Sequence, residues 1–245
     1  MNKTVLVTGA SRGIGRATVF EFAKCGYNVV INYLNSDSDA KALKKEMEET
    51  YHVKVLLLKA DVSNEEEVKV MVEKAISEFD HIDCLVNNAG IAIDTLFEDK
   101  TVDNFRKTLD INLIGTFLVS REVGKYMLKD KNGSIINISS TNGIDTFYPE
   151  SIDYDASKAG VISLTKNLAL QYAPYIRVNS VAPGWVYTDM NKELDNDFIK
   201  NECDKILVNR FADASEIAKV VVFLASSDAS YINGEIIRVD GGFRQ

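Results

Sequence analysis

Tyr154 and Lys158 stand four residues apart in Tyr154-Asp155-Ala156-Ser157-Lys158. On a helix that spacing puts both side chains on one face. An ammonium close to a phenol favours the phenolate and lowers the phenol's pKa from about 10. Such a tyrosine can pass a proton near neutral pH. Taken alone, such a pair is weak evidence and more often marks a solvated helix face. Ser140, on the loop just before, can donate a hydrogen bond to a substrate oxygen, although a lone serine after a strand is commonly structural. A third feature joins these in Thr8-Gly9-Ala10-Ser11-Arg12-Gly13-Ile14-Gly15. Glycines there let the backbone approach a pyrophosphate, and the free N–H groups and dipole of a following helix attract it. The spacing is G-x-x-x-G-x-G rather than G-x-G-x-x-G.

The elements that must hold these residues follow from the hydrophobic pattern. Thr4 to Val7 reads as a buried strand, Arg16 to Cys25 as an amphipathic helix and Asn28 to Tyr33 as a strand. Ser38 to Thr50 reads as a charged surface helix and Val53 to Leu58 as a strand. A helix starts at Ser63-Asn64-Glu65-Glu66, with acids in its first turn, and runs to Phe79. Cys84 to Val86 is a short strand, Asn104 to Lys129 one long helix and Ile135 to Ile138 a strand. Tyr154 to Tyr172 is a helix, Arg177 to Val181 a strand, Ser215 to Ala225 a helix and Ile236 to Val239 a last strand. This alternation implies an α/β fold, a parallel sheet with helices on both faces. Ligands of such sheets sit at the carboxyl ends of the strands. Gly9 to Gly15, Asp61 and Val62, Asn87 to Gly90, Ser139 and Ser140, and Pro183 and Gly184 all fall there. Asn191 to Val208 is polar and weakly patterned, and reads as a mobile segment beside a binding site.

With 245 residues, one α/β domain over 1–245 is expected. The net charge of −8 argues against non-specific nucleic-acid binding and against an anionic membrane surface. Cys25, Cys84 and Cys203 show no metal-type spacing and read as free thiols in a reducing cytosol, so no metal is expected. The chain enters a strand at once, which reads as cytoplasmic with no signal peptide, and no apolar run approaches the ~20 residues that span a bilayer.

Taken together, the chain resembles the short-chain dehydrogenase/reductase family over essentially its whole length. Thr8 to Gly15 is similar to the family's cofactor turn, and Asn87-Asn88-Ala89-Gly90 to its N-N-A-G motif. Tyr154 to Lys158 resembles Y-x-A-S-K, Pro183-Gly184 with Thr188 resembles P-G-x-x-x-T, and Val239-Asp240-Gly241-Gly242 resembles V-D-G-G. The resemblance implies a three-layer doubly wound (Rossmann) fold, with a seven-stranded parallel sheet in the order 3-2-1-4-5-6-7, usually in a homotetramer. It implies Tyr154 as general acid toward a carbonyl, Lys158 lowering its pKa and holding the nicotinamide ribose, and Ser140 polarising the carbonyl. Asn112 would hold a water for a proton relay with the lysine. Among cofactor residues it implies Asp61 and the Val62 N–H at the adenine, Asn88 and Gly90 along the ribose, and Val186 with Thr188 at the carboxamide.

An acid at the end of the second strand commonly holds the ribose 2′-OH of NAD. Here that end reads Ile31-Asn32-Tyr33-Leu34-Asn35-Ser36 and carries no carboxylate. Arg12 in the glycine turn can bind a 2′-phosphate with charge assistance, and Ser36 can add a hydroxyl. NADP(H) is therefore favoured. Asp37, roughly 20 residues past the turn, keeps NAD(H) open, although it also reads as the start of the next helix.

Within the family the chain looks like the bacterial 3-oxoacyl-[acyl-carrier-protein] reductases, through Val7 to Arg16 and Ala182 to Met190. Two departures bear on the substrate. The loop from Ser140 to Tyr154 is one residue longer than usual and carries Phe147, Tyr148, Pro149 and Glu150. The connection from Tyr172 to Arg177 is one residue short and lacks a basic residue that helps dock an acidic carrier, although Lys129 and Lys131 can supply part of such a patch. Trp185, Tyr187, Phe147 and Tyr148 read either as pocket lining or as ordinary packing. The expected substrate is a 3-oxoacyl group on carrier protein or another thioester. The alternatives are an NAD(P)-dependent dehydrogenase of a sugar, polyol or other small alcohol, and a non-catalytic dinucleotide sensor.

Overall fold

The computed structural model describes residues 2–188 and 194–244. In chain order the elements are β1 (Thr4–Val7), α1 (Gly13–Lys24), β2 (Asn28–Tyr33), α2 (Asp37–Tyr51), β3 (Val55–Lys59), α3 (Glu65–Phe79) and β4 (Cys84–Asn87). There follow α4 (Val102–Leu109), α5 (Gly115–Asp130), β5 (Gly133–Ile138), α6 (Ile152–Tyr172), β6 (Ile176–Pro183) and β7 (Val186–Tyr187). The last are α7 (Asn196–Asp204), β8 (Ala212–Asp213), α8 (Ala214–Ala225) and β9 (Ile236–Val239).

Seven strands form a parallel sheet in the order β3-β2-β1-β4-β5-β6-β9. The short strands β7 and β8 pair with each other outside it, so β9 is its seventh strand and the expected order holds. Side chains alternate across each strand. Val5, Val7, Val29 and Ile31 face one layer, packed with Phe22 of α1, Leu43 and Met47 of α2, and Ile217 and Val221 of α8. Leu6, Val30, Leu85 and Ile135 face the other, with Met71 of α3, Val119 and Val123 of α5, and Leu168 of α6. Each such fully buried aliphatic side chain contributes about 1.5–3 kcal/mol.

Helix α3 starts where its acids and cap suggest: the Asn64 side chain accepts the N–H groups of Glu66 and Glu67, and Glu65 to Glu67 complement the dipole. The single helix expected over Asn104 to Lys129 is instead two. A π-helical turn, Asp110–Ile114, joins α4 to α5. At its centre is Asn112, fully buried, whose side chain closes two hydrogen bonds on the Ile91 backbone. A wide turn of this kind interrupts the regular ladder and is frequent at functional sites.

Candidate active site

The glycine turn is stitched to its neighbours before any ligand is considered. Gly9 has φ +61° and Gly13 φ +56°, a region that glycine enters without strain. A Cβ on Gly9 would stand 2.8 Å from Ala89 Cα, and one on Gly15 would stand 2.6 Å from both Asn88 Nδ2 and the Gly9 oxygen. Asn88 Nδ2 donates to the Thr8 and Gly9 carbonyls at 2.9 and 3.0 Å, and Thr8 Oγ1 accepts the Asn88 and Ala89 N–H groups. Asn32, which the sequence reading passed over, accepts the Gly9 N–H at 3.2 Å and donates to Leu58 and Ala60.

Helix α1, entered through buried Ser11 with Ile14 in its first turn, has no side-chain cap on its N-cap residue Arg12 and no acid in that turn. Helices α3, α4 and α8 all have a side-chain cap or capping box. Among the described residues the first N–H groups of α1 therefore have no side-chain cap, which suits a phosphate. Arg12 is exposed and has no hydrogen bond or ion pair among the described residues. Thr188 lies over the turn, 3.6 Å from where a Gly13 Cβ would be. Behind it, Gly184 follows Pro183 and donates to the Val239 carbonyl at 3.0 Å, and a Cβ on it would strike Asp240 at 2.8 Å. Val186 is buried on β7.

At the end of β2, the Tyr33 hydroxyl donates to Asp37 Oδ1 at 3.2 Å, and Lys59 binds Asp37 Oδ2 at 3.1 Å. The Lys59 hydrogen bond holds the Asp37 carboxyl below its usual range. Asp37 is the first residue of α2, and Ser36 its N-cap without a side-chain cap bond. After β3, Asp61 Oδ1 accepts from the Ser63 N–H and hydroxyl at 2.9 and 2.7 Å. Asp61, Ser63, Asp103, Arg106 and Ile111 line part of a cleft of about 370 Å³. Val62 is buried against Gly115, where a Cβ would come 2.8 Å from it.

The proton-handling groups converge at the ends of β4 and β5. Lys158, 4% exposed, donates to the Ile138 carbonyl at 2.8 Å and lies 5.4 Å from the centre of the Tyr154 ring. Asn112 binds Ser157 as well as Ile91, and its own carbonyl accepts from Thr116. A Cβ on Gly90 would point at Asn112 Oδ1 (3.2 Å) and Lys158 Nζ (3.6 Å), so Gly90 keeps this junction open. Ser140 is buried and hydrogen-bonded to Asn142.

The expectation that Lys158 depresses the Tyr154 phenol needs correction. Burial pushes Tyr154 up to about 12, and a hydrogen bond with Ser140 opposes this only in part. In the resting protein Lys158 does not lower the phenol, because its ammonium sits over the ring and donates a hydrogen bond to the Ile138 carbonyl. Burial also lowers Lys158 from 10.5 to about 8.

Of the four aromatic candidates, the structure joins two. Trp185 Nε1 donates to Glu202 Oε2 at 3.0 Å and to the Tyr148 hydroxyl at 3.2 Å, and that hydroxyl donates to Glu202 at 2.6 Å. Trp185 also stacks on Phe211. Tyr187 tilts against Phe211 and is half exposed, whereas Phe147 is 71% exposed and stands apart. Within the segment read as mobile, Asn191 to Val208, residues Asn196 to Asp204 form α7, which carries Glu202; residues 191–193 lie outside the described ones. Sequence reasoning missed Glu202 because its signal, one acid in a polar stretch, is no signal without the fold.

Residues 9–244 match the family model described as enoyl-(acyl carrier protein) reductase. The chain is 41% identical over 243 residues to a 3-oxoacyl-[acyl-carrier-protein] reductase FabG of Staphylococcus epidermidis, covering 99% of each. It is 40% identical to the FabG of Aquifex aeolicus, covering 98% of this chain and 96% of the relative. Among solved structures it is similar to ElxO with NADP bound (32% identity, TM-score 0.91, 99% and 98% covered). It is also similar to levodione reductase (37%, 0.90, 98% and 96%). Motifs, sheet order and relatives agree: this chain belongs to the short-chain dehydrogenase/reductase family and is an oxidoreductase.

Proposed function

We propose that the protein reduces the 3-oxo group of an acyl thioester, carried on acyl-carrier protein, to the 3-hydroxy form with NADPH. The observation that carries this is the convergence of Tyr154, Ser140, Lys158 and Asn112 beside the uncapped glycine turn, at the carboxyl edge of one sheet. Gly9 to Gly15 and the start of α1 would hold the pyrophosphate, Asp61 and Val62 the adenine, and Lys158 the nicotinamide ribose. Arg12 supports NADP(H) because it has no partner among the described residues, whereas Asp37 is already engaged by Lys59 and Tyr33. The cofactor supplies a hydride to the carbonyl carbon.

The protein's own residues manage the proton. Ser140 donates a hydrogen bond to the carbonyl oxygen, which raises its partial positive charge at carbon and lowers the barrier. With a pKa near 12, Tyr154 carries its proton throughout the neutral range, the form a general acid needs. As that proton passes to the oxygen, Ser140 keeps its single proton on the substrate oxygen, and the phenolate left behind lies under the Lys158 ammonium, 5.4 Å from the ring centre. Asn112 holds the Ile91 backbone and Ser157 in place beneath the lysine. Reprotonation of Tyr154 then runs from Lys158 and a water held near Asn112.

By the same family reading, we place a single domain over residues 1–245 in a cytoplasmic homotetramer. Among the described residues no helix is long and apolar enough to cross a membrane. A second reading, a reductase or dehydrogenase of a small carbonyl, sugar or polyol, is favoured by the longer loop whose Tyr148 is tied to Trp185 and Glu202. The deciding experiment follows NADPH consumption with acetoacetyl-CoA beside NADH and the Tyr154→Phe variant. Turnover with NADPH that vanishes in the variant supports the proposal. Cofactor binding without thioester turnover would move the substrate to the second class.

A further inference from the structure

Asp37 carries the wrong charge for the cofactor proposed above, and it stands where that charge counts. It opens α2, four residues past Tyr33 at the end of β2. An acid at the end of the second strand commonly holds the ribose 2′-OH of NAD, and a cation near that place accommodates the 2′-phosphate of NADP. A free carboxylate there would repel the phosphate. The fold does not leave it free. Tyr33 and Lys59, the last residues of β2 and β3, are register partners in the sheet. The Tyr33 hydroxyl donates to Asp37 Oδ1 at 3.2 Å, and Lys59 Nζ donates to Oδ2 at 3.1 Å. Tyr33 is buried, so packing fixes its hydroxyl. The Lys59 hydrogen bond leads the interactions that hold the Asp37 carboxyl below its usual range, so the group is ionised at neutral pH. Its charge is not titrated away. It is met by a cation from another strand, 22 residues along the chain.

We infer that Lys59 is a specificity-determining residue for the cofactor: through its pairing with Asp37 it turns a site laid out for the ribose hydroxyls of NAD(H) into one that accepts the 2′-phosphate of NADP(H). The inference rests on the NADP(H) reading, in which Arg12 attracts the phosphate and Lys59 removes the repulsion beside it. The two side chains are 55% and 50% exposed, so the pair adds little to stability and its loss leaves the fold intact. What changes is the group shown to the ligand. With Lys59 gone, one Asp37 oxygen is open and its charge uncompensated. It then opposes a phosphate and accepts a hydrogen bond from a ribose hydroxyl. Like charges about 4–8 Å apart at a protein surface change affinity by roughly tenfold.

The test is calorimetric titration of cofactor-free protein with NADPH and with NADH at fixed ionic strength, which needs no substrate. Lys59→Met should raise Kd for NADPH about tenfold and lower Kd for NADH about threefold. Opposite movement of the two is the signature, because a lysine that touched the phosphate directly would weaken NADPH alone. Lys59→Arg keeps the charge, and both Kd values should stay within about twofold of wild type. In an Asp37→Asn background Lys59→Met should change either Kd less than about twofold, since its target is gone. Asp37→Asn alone should leave NADH binding within about twofold of wild type, since the carboxylate is already engaged. Three results would each overturn the inference: an NADPH loss that persists in the Asp37→Asn background, NADH binding that does not tighten in Lys59→Met, or an NADH loss of about tenfold in Asp37→Asn alone. Wild type that binds NADH more tightly than NADPH would count against the NADP(H) reading itself, whereas the shift between wild type and Lys59→Met still reads what Lys59 does to Asp37.

Discussion

Lys158 is a charged side chain kept where the fold would prefer an apolar one, and replacing it with methionine measures what that placement costs. Burial lowers its pKa from 10.5 to about 8. At about 1.36 kcal/mol for each tenfold change in proton affinity, that lowering corresponds to about 3 kcal/mol of lost stability. Between pH 8 and 10.5 the unfolded chain holds a proton that the folded chain has released, so wild-type stability gains with rising pH across that window, and the cost is fully present below pH 8. Methionine does not titrate. It also leaves the Ile138 carbonyl without its donor, at about 1–3 kcal/mol, but that loss is the same at every pH. The stability of Lys158→Met relative to wild type should therefore be about 3 kcal/mol more favourable at pH 7 than at pH 10.5. For a chain of this size that is a relative shift of roughly 6–12 °C in Tm. Urea unfolding of cofactor-free protein, followed by Trp185 fluorescence at pH 7, 8.5 and 10.5 with fixed ionic strength and protein concentration, reads it directly. A difference between the two proteins that stays constant within about 0.5 kcal/mol would refute the argument that desolvation sets the Lys158 pKa. The same substitution should abolish turnover, so that stability rises as function is lost.

Two further substitutions probe the cofactor assignment and the turn that carries Tyr154. Arg12→Ala should weaken NADPH binding by about 10–100-fold, the worth of a hydrogen bond to a charged group, and leave NADH binding unchanged; equal affinity for NADPH before and after would remove Arg12 from the 2′-phosphate site. Lys100 pairs with Asp153 Oδ1 at 2.9 Å, with the two side chains 4% and 0% exposed, and Thr108 donates to Oδ2 at 2.7 Å. Burial pushes the Asp153 carboxyl up, but the Lys100 and Thr108 hydrogen bonds outweigh it and hold the group below its usual range. Lys100→Met would strand that carboxylate at a cost of about 3–5 kcal/mol at neutral pH. The deficit should shrink as pH falls and Asp153 takes up a proton; thermal melts at pH 7.5 and 5 with a deficit below about 1 kcal/mol, or one that does not change, would show that the pair is not needed.

The parts of this fold that were legible in the sequence are those set by local rules. Gly9 and Gly13 occupy left-handed backbone and mark their turn wherever it is placed. Asn64 with three acids marks the start of α3, and alternating Val, Leu and Ile mark strands that pair in a parallel sheet. What was not legible depends on partners far away in the chain. Nothing near Asn112 shows that its side chain will close on Ile91, 21 residues back, from within a π-helical turn in what otherwise reads as one helix. The Tyr154 phenol was expected to be lowered by its neighbour of four residues on, yet burial, which belongs to the tertiary structure alone, moves it the other way.

One class of residue lies between these cases. Asn32, Asn87 and Asn137 each interrupt an apolar strand, where asparagine has low β-propensity and pays for desolvation unless every polar atom finds a partner. Asn32 supports the glycine turn from below. Asn87 Nδ2 donates to Ser120 and to Asn137 Oδ1, and Asn137 Nδ2 donates on to Thr165, joining β4 and β5 to α5 and α6 beneath the catalytic groups. All three lie toward the carboxyl ends of their strands, the edge at which the site is built. A local choice that conflicts with the element around it is expected where function sets the terms. A fourth buried strand asparagine, Asn179 of β6, binds the Ile232 carbonyl and the Glu235 N–H instead, so a polar residue inside an apolar strand points to the site only where it lies toward the carboxyl edge, as Asn32, Asn87 and Asn137 do.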